Sequence, residues 1–219
     1  MKIFFDIDDT LFPSSEFSAL ARRNALNAMI GMGLDFEYKK LNDLLLSLIE
    51  EKGSNYPNHF NDLCTALNVD EPAKFVAAAV AAYHHTKSSI APYPQIPRTL
   101  LRLKEDGHQI YVATNGASVK QWDKLIRLGL ALYFDKVFIS EELGVSKSPE
   151  FYSKIFKSLG CEPSQCIMIG DREDADIMPS KEVGMKTIRI IKGKHSKISS
   201  TADFTIEELG NLYQIVQRL

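Results

Sequence analysis

Short apolar runs recur along the chain and alternate with amphipathic stretches. The first run, Lys2–Phe5, has no polar alternation, which is typical of a strand buried on both faces of a parallel sheet. Similar runs lie at Gln109–Ala113, Lys136–Ile139, Cys166–Ile169 and Thr187–Ile191. Helical stretches such as Ile96–Glu105 and Val119–Leu128 lie between them. This alternation predicts an α/β fold, with a parallel sheet covered by helices on both faces.

Residues 14–86 depart from this alternation, because they contain no strand-like run. Helical patterns cover Ser15–Met32, Phe36–Lys52, Asn58–Leu67 and Glu71–Tyr83. Apolar residues in the second of these recur every three or four positions, as in Leu41, Leu45 and Leu48, and so form a stripe that a helix can bury. The proline-rich stretch Ser88–Pro97 is typical of a linker. We therefore predict an α/β core of residues 1–13 and 87–219 with a helical insertion at 14–86.

Composition and charge exclude several classes of protein. The 219 residues include 26 Lys and Arg against 28 Asp and Glu, a net charge of -2, which argues against sequence-blind binding to nucleic acid. The first apolar run ends at Phe5, too early for a signal peptide or a membrane span. Three cysteines without CxxC spacing indicate neither a disulfide framework nor a zinc site. We expect a cytoplasmic protein, monomeric or homodimeric, without a nucleic-acid or membrane partner.

Polar residues follow the predicted strands at the points where the strands end. They are Asp6 and Asp8 after the first, Thr114 and Asn115 after the second, Lys147 after the third, and Asp171 and Asp176 after the fourth. Ligands of open α/β sheets bind at the carboxyl ends of the strands, so these residues are the candidates for chemistry. If the backbone stays extended, Asp6 and Asp8 point to one side and Asp9 to the other.

Three carboxylates at one sheet edge would repel each other strongly unless a cation lay among them. Asp6, Asp8 and Asp171 therefore indicate a Mg²⁺ site, since this ion prefers carboxylate, phosphate and water oxygens. Thr114, the amides that follow it and Lys147 would supply donors and positive charge for a phosphate. A carboxylate facing that phosphate can attack phosphorus, and an acid two residues later can protonate the leaving oxygen.

Four motifs in order carry a resemblance to a known family. They are DxDx[TV] at Asp6–Thr10, a strand ending in a hydroxyl at Thr114, a lysine at Lys147 in GVSKSPEFY, and GDxxxxD at Gly170–Asp176. With these motifs, each following its own predicted strand, the chain resembles the haloacid dehalogenase superfamily. It is most similar in pattern to the phosphatases that carry a helical cap just after the first motif.

The resemblance implies a Rossmann-like core, an all-helical cap, Mg²⁺ as cofactor and a small phosphomonoester as substrate. It implies that Asp6 is the nucleophile, forming an aspartyl phosphate, and that Asp8 is the general acid and then the base. The other implied roles are phosphate ligands at Thr114 and Lys147, metal ligands at Asp6, Asp171 and the Asp8 backbone carbonyl, and supporting positions at Thr10 and Asp176. We also expect Asn115, in the turn after Thr114, to bind the phosphate. The helix after the fourth motif should hold Pro179 in its first turn, with Asp176 near its N-cap.

One motif departs from the family pattern, since Ser148 and Pro149 follow Lys147 where the family often has KPxPxxF. The path of the loop around this lysine is therefore left open. Arg22 and Arg23, on the first helix of the insertion, could reach a substrate, although a solvated helix face is the simpler interpretation.

Other functions stay open at this point. A 2-haloacid dehalogenase would have no need of the acid at Asp8, whereas a phosphomutase of the same fold is not separated by these motifs. A non-enzymatic receiver-type signalling module is disfavoured by the chain length and by the order of the motifs. The sequence also leaves the substrate open among nucleotides, sugar phosphates, phosphoglycolate and flavin mononucleotide.

Overall fold

The chain folds into two compact units. The computed structural model describes residues 1–218. One unit consists of Met1–Ser15 together with the chain from Ile90 onward, and the other is Glu16–Ser89.

The unit Glu16–Ser89 is helical. Its helices are α1 (Ser14–Gly31, which begins just before the unit), α2 (Tyr38–Lys52), α3 (His59–Ala66) and α4 (Ala73–Lys87). Buried apolar side chains of all four helices form one cluster, which includes Leu26, Leu41, Leu63 and Phe75. The four predicted helical stretches are therefore confirmed.

Helix α4 continues past Tyr83, where the sequence pattern predicted its end. The hydroxyl of Thr86 donates to the carbonyl oxygen of Ala82 at 2.9 Å and accepts from the side-chain amide of Asn24, also at 2.9 Å. This contact with α1 holds the last turn of α4 in place, and no local sequence signal could have indicated it.

The other unit contains a sheet of six parallel strands in the order β3-β2-β1-β4-β5-β6. The strands are β1 (Lys2–Phe5), β2 (Gln109–Thr114), β3 (Lys136–Ile139), β4 (Cys166–Gly170), β5 (Lys186–Ile190) and β6 (Phe204–Ile206). Strand β1 lies in the middle, and Phe5 is aligned with Val112 of β2 and Ile169 of β4. The residue after Phe5 therefore emerges at the centre of the carboxyl edge, where the strand order reverses and ligands bind in such sheets.

Strand β6 is absent from the strands predicted above. It is only three residues long and pairs with β5. The preceding Asp203 accepts hydrogen bonds from the backbone N–H and the hydroxyl of Thr187, at 2.8 and 2.9 Å. A strand this short shows no periodicity, and it is positioned by contacts with a distant part of the chain.

Helices complete the α/β unit. They are α5 (Ile96–Glu105), α6 (Ser118–Arg127), α7 (Ser140–Leu143), α8 (Pro149–Leu159), α9 (Met178–Glu182) and α10 (Leu212–Val216), and a π-helical turn, Glu173–Ile177, leads into α9. Pro179 lies in the first turn of α9, as predicted. Helix α8 buries Phe151 and Tyr152 against a core that includes Phe4 of β1. Within the described residues, no helix combines the length and apolarity that crossing a bilayer requires.

The turn after β5 lies against the loop that follows β1. Gly193 has φ +63°, and a Cβ atom at this position would overlap the carboxylate of Asp9. Glycine is therefore required here twice, for the left-handed backbone and for the close approach.

We predict that Gly193→Ala destabilises the protein more than Gly160→Ala does. Gly160 has a similar φ of +59°, but no atom lies within 4 Å of its added Cβ, so that substitution should cost only the backbone strain, about 1 to 2 kcal/mol. Urea denaturation gives both free energies of unfolding. Equal losses would show that the protein accommodates an added methyl group beside Asp9 without cost.

Candidate active site

Asp6 lies at the centre of the carboxyl edge of the sheet. Its backbone N–H donates to the carbonyl oxygen of Ile169 at 2.9 Å, which continues the pairing of β1 with β4. Its buried carboxylate is 2.5 Å from the Nζ atom of Lys147, and the same Nζ atom is 2.5 Å from the carboxylate of Asp176. One buried ammonium group thus bridges two buried carboxylates.

Asp171 follows β4 and completes a cluster of acids. Asp6, Asp171 and Asp176 each offer a carboxylate oxygen, and these atoms lie within 4.8 Å of one another. All three residues are buried. Strands β1 and β4 are neighbours with aligned ends, so the structure brings together the residues that follow them.

The cluster has more negative than positive groups. Burial, followed by the nearby carboxylates of Asp6 and Asp176, raises the pKa of Asp171 to about 9. Burial also raises the pKa of Asp6 to about 6, although Lys147 partly offsets the effect. Burial lowers the pKa of Lys147, but attraction to Asp176 and Asp6 outweighs it, so this pKa is raised. One ammonium group does not neutralise three buried acids, and a divalent cation fits this set of oxygen donors.

Asp176 is held by its own loop and does not cap α9. It lies in the π-helical turn, its carboxylate accepts from the backbone N–H of Arg172 at 3.0 Å, and α9 begins at Met178 without a side-chain cap. Asp176 directly precedes Ile177, the N-cap residue of α9, so it lies near the N-cap as expected, although its side chain does not cap the helix. Gly170 leaves room for this carboxylate, since a Cβ atom there would overlap it.

Asp8 is positioned differently from Asp6. The backbone turns sharply at Asp9, which has φ +52°, so it does not stay extended through this segment. The carboxylate of Asp8 contacts the Nζ atom of Lys124, at 2.8 and 2.6 Å from its two oxygens. Asp8 is therefore outside the group of three acids that could share an ion through their carboxylates.

Asp9 and Thr10 are buried beside this turn. The carboxylate of Asp9 accepts a hydrogen bond from the backbone N–H of Ser15 at 2.8 Å and another from the Ser15 hydroxyl. Asp9 therefore stabilises the start of α1. The hydroxyl of Thr10 is buried and has no hydrogen-bond partner among the described residues.

Thr114 and Asn115 follow β2 and have different partners. The hydroxyl oxygen of Thr114 accepts from the side-chain amide of Gln121 at 2.8 Å, which leaves its own hydrogen to donate elsewhere. The side-chain oxygen of Asn115 accepts from the backbone N–H of Lys147 at 2.8 Å. The side chain of Asn115 thus anchors the loop that carries Lys147, and this contact defines the loop path that the sequence left open.

Besides Lys124, two further residues with a clear role at this edge were not predicted from the sequence. The side-chain amide of Gln121, in α6, holds the hydroxyl of Thr114. Gly116 leaves room for this amide, because an added Cβ atom at Gly116 would lie 3.1 Å from the Gln121 amide nitrogen. Arg189 of β5 is fully buried and donates to the backbone carbonyl of Asp171 at 2.8 Å and to Glu173 at 3.3 Å. A charged residue inside an apolar run was the only available signal for Arg189.

Arg189 also holds the loop after β5. Its guanidinium group donates to the backbone carbonyls of His195, Ile198 and Ser199, at 2.8 to 2.9 Å. Arg189 therefore connects the loop of Asp171 to the segment after β5, in which Gly193 packs against Asp9.

Comparisons with known proteins identify the family of the chain. The family described as haloacid dehalogenase-like hydrolase matches residues 3–190. The chain is 42% identical over 221 residues to a glyceraldehyde 3-phosphate phosphatase of Methanocaldococcus jannaschii, covering 99% of this chain and 97% of the relative. It is also 42% identical over 226 residues to a protein of the same description from Methanopyrus kandleri, again with 99% and 97% coverage.

A solved structure shows the same fold. It is the YfnB protein of Bacillus subtilis bound to magnesium, with a TM-score of 0.68, 22% identity, and coverage of 98% of this chain and 97% of that one. The match of the family extends from β1 to the end of β5 and includes all four motifs. The chain therefore belongs to the haloacid dehalogenase-like hydrolases, and within them it is a phosphatase.

Proposed function

We propose that this phosphatase hydrolyses a small phosphomonoester of the glyceraldehyde 3-phosphate type, with Asp6 as the nucleophile. The observation that supports the site most strongly is the convergence of buried Asp6, Asp171, Asp176 and Lys147 at the central strand ends. The substrate class follows from the relatives, two of which are described as glyceraldehyde 3-phosphate phosphatases and align over nearly their full length.

The proposed reaction has two steps. A carboxylate oxygen of Asp6 attacks phosphorus, the bond between phosphorus and the ester oxygen breaks, and Asp8 gives its proton to the departing oxygen. Water then attacks the aspartyl phosphate and transfers a proton to Asp8, which releases phosphate and restores the carboxylate of Asp6. The ionised form of Asp6 is required for the first step, and the nearby ammonium group of Lys147 favours that form.

Two side chains would bind the transferred group. The hydroxyl of Thr114 can donate to a phosphate oxygen because Gln121 already occupies its acceptor side. The ammonium group of Lys147 lies next to Asp6 and would offset the charge of the phosphate. The side-chain oxygen of Asn115 accepts from the backbone N–H of Lys147 and so holds this residue in place.

We also propose that Mg²⁺ is the cofactor. The three buried acids, opposed by one lysine, fit a divalent cation. Asp6, Asp171 and the backbone carbonyl of Asp8 would hold it, with Asp176 and Thr10 in support. When bound, the ion would reduce the repulsion between the Asp6 carboxylate and the anionic phosphate.

The helical insertion, residues 14–86, fits the cap that the family resemblance implies, and we propose that it selects the substrate.

The nucleophile is tested by Asp6→Asn. We predict a loss of phosphate release of at least about a thousandfold, because an amide does not attack phosphorus, while the fold is retained. The assay is release of inorganic phosphate from glyceraldehyde 3-phosphate, phosphoglycolate and a nucleoside monophosphate, with Mg²⁺ and with a chelator. Asp123→Asn is the matched control, since Asp123 pairs with Arg127 on an exposed helix face. Normal turnover by Asp6→Asn would rule out the mechanism.

The metal site is tested through the stability of Asp171→Asn. Asp171 has a pKa of about 9 in the folded protein and about 4 in an unfolded chain. Between these pH values the unfolded state has lost a proton that the folded state keeps, so stability falls as pH rises. Without metal, Asp171→Asn should therefore be more stable than the wild type at pH 8, with the difference vanishing toward pH 4.

Mg²⁺ should reverse this order by stabilising the wild type and not the variant. Denaturation curves at several pH values, with a chelator or with Mg²⁺, measure both effects. Asp174→Asn is the control. A hydrogen bond from Arg172 lowers the pKa of Asp174, so Asp174→Asn should lower the stability as pH rises, whereas Asp171→Asn should raise it relative to the wild type. Equal stabilisation of the wild type and Asp171→Asn by Mg²⁺ would contradict the assignment.

A further inference from the structure

Helix α6 places two polar side chains against the candidate site. Gln121 and Lys124 are three positions apart and so lie on one face of the helix. Gln121 contacts Thr114 at the end of β2, and Lys124 contacts Asp8 in the loop after β1. The proposed function assigns a role to Thr114 and to Asp8 but not to Lys124.

The contact between Lys124 and Asp8 defines the direction of the Asp8 carboxylate. The Nζ atom lies 2.8 Å from one carboxylate oxygen and 2.6 Å from the other. An ammonium group held between both oxygens restrains rotation of the carboxylate as well as its position. Both side chains are partly enclosed, at 23% exposure for Lys124 and 39% for Asp8.

Local backbone geometry alone does not aim this carboxylate. Strand β1 ends at Phe5, and the chain turns at Asp9 through a left-handed conformation. Asp8 therefore lies outside the regular strand that orients Asp6. The restraint on its side chain comes from a helix 116 residues away in sequence, whereas the ion pair of Arg127 with Asp123 lies within one helix.

We propose that Lys124 is a positioning residue, which aims Asp8 at the departing oxygen of the substrate. The inference rests on the proposed role of Asp8 as the proton donor. When Asp8 carries its proton on one oxygen, the other oxygen still accepts from Lys124, so the donor stays oriented while the bond between phosphorus and oxygen breaks. Lys124 keeps its own protons throughout.

The test compares two esters that differ in their need for a proton. Glyceraldehyde 3-phosphate has an alkoxide leaving group that requires protonation, whereas the dinitrophenolate released from 2,4-dinitrophenyl phosphate is stable without it. For both esters, kcat/KM covers the steps through departure of the leaving group. We expect Lys124→Ala to lower kcat/KM by about tenfold to a hundredfold for the first ester, which is less than the full contribution of acid catalysis, about a hundredfold to ten-thousandfold, because Asp8 itself remains. The loss for the second ester should be far smaller.

Three variants complete the experiment. Lys124→Arg should restore most of the rate on glyceraldehyde 3-phosphate, since a guanidinium group can donate to both oxygens. Arg127→Ala, which removes another cation of α6, should leave both rates unchanged. In the Asp8→Asn background, Lys124→Ala should cause no further loss, because Lys124 acts through Asp8.

Other results would overturn the inference. Equal losses on the two esters, or a further loss in the Asp8→Asn background, would show a structural role for Lys124. A gain in rate by Lys124→Ala would show that this lysine holds Asp8 away from the substrate. Each of these outcomes presupposes a wild type that hydrolyses both esters with Mg²⁺. A wild type inactive on both would contradict the proposed function itself, and the positioning role would fall with it.

Discussion

The bridge that Lys147 makes between Asp6 and Asp176 is the interaction on which the candidate site depends. Its three members come from the loops after three different strands, and all are buried. Removing a charge from water is costly unless it is paired, so this bridge holds the three loops at one place. With Asp171 added, the negative groups exceed the positive one. The proposed Mg²⁺ cofactor would offset this excess of negative charge.

The neighbouring elements support this centre through polar contacts. Arg189 of β5 holds the carbonyl of Asp171, Gln121 of α6 holds the hydroxyl of Thr114, and Asn115 holds the backbone of Lys147. Each contact fixes an atom next to a group with a proposed role. A catalytic site requires such support, because small errors in position greatly reduce the rate.

Asp6 and Asp171 of the central cluster could be predicted from the sequence because parallel strands bring their ends to one edge, whereas the third carboxylate is that of Asp176 and not, as expected, that of Asp8. Apolar runs identified β1 and β4, and Asp6 and Asp171 follow those runs directly. The direction of Asp8 could not be predicted, since the backbone leaves the extended conformation at Asp9. The supporting contacts of Gln121 and Arg189, and the short strand β6, depend on packing between distant segments, which periodicity does not encode.

In the proposed mechanism, Asp6 forms a covalent bond to the transferred phosphoryl group. The most direct measurement is acid quenching of the enzyme within its first turnover of glyceraldehyde 3-phosphate with Mg²⁺, followed by mass spectrometry of the peptides. We expect a phosphoryl group on the peptide that contains Asp6, located at that residue by fragmentation, and its disappearance as the substrate is exhausted. A phosphoryl group on a different residue, or release of phosphate with no labelled peptide at any time, would contradict it.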